Sequence, residues 1–178
     1  MGRPKALLPF SGKETFLDHL LGLYAEIRSY PILVLNRTER EPILDRLSAL
    51  PLSLTIAFNN DPDGDRLSSI IIGLSEAPRD TYVFVQDVDR PFVTVPLLAS
   101  LIEHRHSTGY TAPDIGGHPP LLSPFVVRGL LRGANAGALH DALATFERTL
   151  IPAIDTGCDL NINTPEDYER HVAGRSPS

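Results

Sequence analysis

The sequence is short of cysteine and has no long apolar run, and both absences narrow what the chain can be. Cys158 is its only cysteine, so no intramolecular disulfide can form and a reducing compartment fits best. Nothing near Cys158 suggests a nucleophile, and it reads as a small buried side chain. No apolar stretch reaches the ~18 residues that a membrane span needs. The opening Met1-Gly2-Arg3-Pro4-Lys5 lacks the apolar core of a signal peptide. Ala6 stands where a myristoylation signal wants Ser or Thr. A cytoplasmic location is therefore expected. Basic clusters are missing as well. With a formal net charge of -6 and no Lys/Arg run, neither a nucleic-acid duplex nor an anionic membrane is expected as a partner. A Ser-His-Asp arrangement, zinc-ligand spacing and a Gly-x-Gly-x-x-Gly fingerprint are also absent, which removes support for hydrolase, zinc-enzyme and dehydrogenase readings.

What is present is an ordinary globular balance, with 42% hydrophobic and 21% charged residues. A length of 178 residues suits one domain. Phe16, Leu17, Leu20, Leu21, Tyr24 and Ile27 recur at helical spacing behind a Thr15/Asp18 capping pair. Short apolar runs at 32–35, 54–58 and 82–85 read as strands, and strand-like pieces follow near Tyr110, Leu121 and 150–154. Helices are expected from Thr38 to about Leu50, over 67–77, from Thr94 to about His106, from Ser123-Pro124 to about Arg132, over 138–146, and from Thr164 to Gly174. This alternation predicts an α/β fold, a mostly parallel doubly wound sheet with helices on both faces. Ligands bind such sheets at the carboxyl ends of the strands. The loops at Asn59, at 87–91 and at 161–164 are therefore the ones to inspect.

Three segments carry the chemistry. Met1-Gly2-Arg3-Pro4-Lys5-Ala6-Leu7-Leu8-Pro9-Phe10 resembles the end of the signature loop of MobA-like nucleotidyltransferases, particularly the molybdenum cofactor cytidylyltransferases. In such a loop small residues let backbone N–H groups cradle a triphosphate, and a lysine offsets charge near the transferring phosphate. Asp87-Val88-Asp89-Arg90-Pro91 resembles the family's Asp-x-Pro metal loop. That spacing selects Asp89 as the Mg²⁺ carboxylate, whereas the Asp-Ala-Ala-Arg-Pro pattern of an isoprenoid-pathway relative selects Asp87. Asn161-Ile162-Asn163-Thr164-Pro165-Glu166-Asp167-Tyr168 resembles the closing motif. Alternation about Ile162 puts both asparagines on one side, and Asn163 matches the second metal contact. Asparagine rather than aspartate here blurs the choice between CTP and GTP. Gly116-Gly117-His118-Pro119 resembles a segment on the acceptor side, and Leu67-Ser68-Ser69 a helix start able to hold an anion. Asn59 falls where relatives place an asparagine.

The resemblance implies one domain over residues 1–174 of the Rossmann-like nucleotide-diphospho-sugar transferase type, with 175–178 a frayed tail. It implies transfer of a nucleoside monophosphate from an NTP, with CTP favoured, to a small phosphorylated acceptor such as molybdopterin. A sugar or polyol phosphate is the alternative acceptor. A non-catalytic nucleotide- or pterin-binding relative is the alternative class. Lys5 and Asp89 would be catalytic. Gly2, Arg3, Lys5, Asn59, Ser68 and His118 would contact nucleotide or substrate. Mg²⁺ would sit on Asp89 and Asn163, or on Asp87. In the family a glycine-rich half-loop and a first strand precede this lysine, and here they would lie before Met1. The expectation is thus a sheet lacking an interior strand, in which another strand closes the gap, two copies form a homodimer across it, or the chain is poorly stable and weak in NTP binding.

Overall fold

The computed structural model describes residues 4–50, 53–61, 65–133, 137–153 and 156–173. Gly2, Arg3, the turn at 62–64, the expected stop at Gly174 and the 175–178 tail lie outside the described residues.

Lys5–Leu7 forms a single 3-10 turn, and a small antiparallel hairpin follows, β1 (Pro9–Ser11) and β2 (Glu14–Thr15). No spacing in the sequence predicts this hairpin. Its strands are too short for a period to show, and its reversal rests on Gly12 at a left-handed φ of 57°. Helix α1 (Phe16–Glu26) opens on a complete capping box, Thr15 with Asp18, as the spacing predicts. Strand β3 (Ile32–Asn36) leads to α2 (Arg40–Ser48), whose N-cap is Glu39 without a side-chain bond. Thr38 therefore does not cap it, contrary to expectation. Strand β4 (Thr55–Asn59) leads to α3 (Arg66–Glu76), capped by Asp65, and β5 (Val83–Phe84) to α4 (Val95–Glu103). Next come β6 (Tyr110–Pro113), β7 (Leu121–Leu122), α5 (Pro124–Gly133), α6 (Leu139–Leu143) and β8 (Arg148–Ile151). Helix α6 stops earlier than its apolar pattern suggests because Phe146 N–H bonds back to the Leu143 carbonyl and closes the last turn. The final helix α7 (Pro165–Tyr168) begins with a second capping box, Thr164 with Asp167, and widens into a π-helical stretch over Glu169–Ala173.

Strands β3 and β4 pair in parallel, and a second sheet has the order β5-β7-β6-β8. Strand β7 runs antiparallel to both β5 and β6, while β6 and β8 are parallel. So β5, β6 and β8 share one direction and β7 alone opposes them. The α/β class and the parallel character hold, with β7 as the exception. Among the described residues β3 is bonded only to β4, and β5 only to β7. Two helices bridge these sheets. From α1, Leu17 and Leu21 pack with Leu35 of β3, while Leu20 and Tyr24 share a cluster with Phe84 of β5. From α3, Leu67 and Leu74 pack with Val83 and Val85, and Gly73 lies against Val34 of β3. No helix among the described residues is long and apolar enough to cross a membrane.

Candidate active site

The site is built around the turn after β5. Gln86 fixes this turn from within: its amide donates to the carbonyls of Asp87 (2.8 Å) and Arg90 (3.0 Å). Gln86 in turn accepts a bond from the Tyr24 hydroxyl at 3.0 Å. Burial pushes the Tyr24 phenol well above its usual range, so it remains a donor at any working pH. With its backbone held, the turn projects Asp87 and Asp89 into two different neighbourhoods.

Asp89 faces the N-terminal turn and the closing motif. Lys5 Nζ donates to Asp89 Oδ2 at 3.1 Å and to Asn163 Oδ1 at 2.5 Å. Three residues spread over 158 positions thus meet at one ammonium. The closing motif is aligned to the turn by its backbone, through Ile162 N–H donating to the Asp89 carbonyl at 2.8 Å. Ile162 is fully buried with Phe16, Phe92 and Val172, so Asn161 and Asn163 are directed away from the core, as alternation requires. A carboxylate oxygen and an amide oxygen already sharing one cation are hard donors of the kind Mg²⁺ accepts. That ion commonly takes one or two carboxylates and completes its shell with phosphate and water. The donor set fits the metal that the resemblance implies.

Asp87 faces the other way. Arg66, the first residue of α3, donates to it through Nε (2.8 Å) and Nη2 (2.6 Å), a bidentate pair. Arg90 Nε lies 4.0 Å and His118 Nδ1 3.9 Å from the same carboxylate. Arg90 is braced by the Asp159 carbonyl at 3.2 Å. The loop that carries His118 turns at Gly116 and Gly117, both at left-handed φ (69° and 66°). A Cβ on Gly116 would run into the Asp159 side chain, so this approach requires glycine. Burial, with Arg90 next in weight, holds the His118 imidazole below its ordinary range despite the opposing pull of Asp87.

Arg66, Asp87, Asp89, Arg90, His118 and Asn161 line one cavity of about 160 Å³. Within it, His118 Nδ1 and Asn161 Oδ1 are buried without a hydrogen-bond partner. Sequence reading singled out Lys5, Asp87, Asp89, His118 and Asn163, and the fold brings them to this edge. It missed Arg66, Gln86 and Asn161 as site residues. Arg90 was visible in the Asp-x-x-Arg-Pro pattern but was given no role. Asn59 and Ser68 are directed elsewhere. Asn59, 2% exposed, donates to the hydroxyls of Ser68 (3.0 Å) and Ser69 (2.9 Å) and accepts from Asp61 N–H. Asp65 takes the Ser68 N–H at 2.8 Å, the group the sequence left open for an anion. In this structure both residues brace the start of α3.

A layered α/β domain with a charged cleft where parallel strands end is a frequent architecture for binding phosphorylated ligands. The chain belongs to the MobA-like NTP transferase domain family, whose model matches residues 1–153. Among curated proteins, the bifunctional ribulose 5-phosphate reductase/CDP-ribitol pyrophosphorylase Bcs1 of Haemophilus influenzae is 29% identical over 119 residues, 65% of this chain. The match spans only 24% of that protein's length. Among solved structures, a nucleotidyl transferase from Methanothermobacter thermautotrophicus superposes with a TM-score of 0.80 at 19% identity, covering 95% of this chain and 83% of the other. Rv0371c from Mycobacterium tuberculosis, solved in complex with manganese, gives 0.74 at 21% identity, covering 97% and 94%. At these identities the structural likeness establishes the fold.

Proposed function

We propose that the chain moves a nucleoside monophosphate from an NTP, CTP by preference, onto a small phosphorylated acceptor and releases pyrophosphate. The observation that carries this reading is the Lys5 ammonium held between Asp89 and Asn163 at the sheet edge, in a chain of the MobA-like family. An acceptor phosphate oxygen attacks the α-phosphorus in line. The new O–P bond forms as the bond from the α-phosphorus to the α–β bridging oxygen breaks, and pyrophosphate departs with that electron pair. A phosphate monoester has its second pKa near ~6, so it is already a nucleophile at neutral pH and no base is needed. The protein's work is positioning and charge stabilisation.

Lys5 donates to the phosphates and offsets their charge, and the clamped turn at Gln86 keeps Asp89 in place. Asp89 and Asn163 would hold Mg²⁺, which neutralises charge on the phosphates. Asp87, engaged by Arg66, is the less available carboxylate. The CDP-ribitol pyrophosphorylase relative favours a polyol or sugar phosphate as acceptor. The likeness of the Lys5 and His118 segments to cofactor cytidylyltransferases favours molybdopterin, which is the second reading. Pyrophosphate release measured with Mg²⁺, each NTP in turn, and either ribitol 5-phosphate or molybdopterin tests both. Release that needs CTP and one acceptor is expected. NTP binding without release under every pairing would mean a non-catalytic relative.

A further inference from the structure

The structure assigns the Arg66–Arg90–His118 side of the cavity to the phosphate group of the acceptor, with Arg66 as its principal ligand, an inference that rests on the transfer reading above. The two carboxylates of the turn divide the site. Asp89 belongs to both halves, since it is bonded to Lys5 and also forms part of the cavity wall, whereas Lys5 is not among the lining residues. A phosphate in the cavity would therefore sit beside, and not upon, the place where Lys5 and Asn163 meet. That is the relation an in-line attack requires of nucleophile and α-phosphorus.

The chemistry of the wall favours an oxyanion with several acceptor oxygens. A guanidinium carries five N–H donors in a fixed fork. Arg66 spends Nε and one Nη2 hydrogen on Asp87, and Arg90 spends Nη1 on the Asp159 carbonyl. Donors remain on both. His118 Nδ1 and Asn161 Oδ1, buried without a hydrogen-bond partner, incur a desolvation cost that a ligand with donors and acceptors would relieve. A phosphate monoester with an adjacent hydroxyl supplies both. Asp87 now occupies the focus of Arg66, Arg90 and His118, the position of a stand-in anion. A cavity of about 160 Å³ has room for a phosphate group. Arg66 itself is half exposed at the cavity mouth, which leaves a path for entry.

The same phosphate chemistry could come from the NTP or from pyrophosphate, and the experiment separates these sources. Glycerol 3-phosphate, inorganic phosphate and pyrophosphate are titrated calorimetrically into the full chain, its Arg66→Gln variant and an Arg66→Gln/Asp87→Asn double variant. Thermal melting confirms that each is folded. The double variant removes the whole ion pair, so it distinguishes loss of a ligand from release of an unpaired carboxylate. The expected result is that the wild type binds the monoester and both variants bind it at least tenfold more weakly. In turnover, both raise the acceptor KM by a like factor and leave the NTP KM within twofold. The assignment is overturned if the wild type binds no monoester, if the double variant recovers wild-type affinity, or if the loss falls on NTP and pyrophosphate. Absence of turnover with every NTP would count against the transfer reading alone, because the calorimetric arm needs no chemistry.

Discussion

Two aspartates separated by one residue end up with different partners, and that difference decides which should matter more. Asp89 shares Lys5 with Asn163, while Asp87 is taken by Arg66. Asp89→Asn keeps the shape and removes one negative charge, so it should abolish Mg²⁺-dependent turnover. The ion pair it breaks is partly exposed (34% and 23%), so its loss should cost no more than about 1 kcal/mol and barely move the melting temperature. Asp87→Asn should reduce turnover less. The reverse ranking in a steady-state assay would transfer the metal role to Asp87 and with it the isoprenoid-type alignment. At this scale Lys5, Asp89 and Asn163 were legible because each stands in a segment whose neighbours resemble a known motif. Arg66 was not legible. It follows the N-cap Asp65 as any first-turn residue might, and only the fold carries it across to Asp87.

Among the elements, the capping boxes give the clearest link between sequence and energetics. Burial pushes the Asp18 carboxyl up, but bonds from Arg46 and Thr15 outweigh it and hold the group below the usual carboxylate range. A folded pKa below the unfolded one adds stability that is present at neutral pH and lost as pH falls through the folded value. Asp18→Asn should therefore lower the melting temperature at pH 7. The gap to wild type should close as the pH drops below the carboxylate range, and a pH-independent gap would show that the charge contributes nothing. The same box accounts for why α1 was read correctly: cap and periodicity are local. The β1–β2 hairpin and the end of α6 were missed because their limits are set by Gly12 geometry and a backbone bond to Leu143. The antiparallel direction of β7 was equally hidden, since two residues carry no sign of strand direction.

On the scale of the whole molecule, helices α1 and α3 each pack across two sheets that do not hydrogen-bond to one another among the described residues. A strand edge without a partner is a template for another strand. Buried groups left unpaired would cost roughly 1–3 kcal/mol each, a large part of a domain's stability. Association of two copies is the outcome we expect, visible as a sedimentation coefficient that rises with concentration in the micromolar range. A monomer at all concentrations with high thermal stability would show that these edges need no partner.

The central claim is that nucleotidyl transfer takes place at the meeting point of Lys5, Asp89 and Asn163, and label transfer tests it most directly. CTP labelled at the α-phosphorus is incubated with Mg²⁺, the wild-type chain and ribitol 5-phosphate or molybdopterin, beside the Asp89→Asn variant. The account predicts label appearing in a cytidylylated acceptor, in equal amount to the pyrophosphate released, and none above background with the variant. Bound CTP with no labelled product, or undiminished transfer by Asp89→Asn, would contradict it.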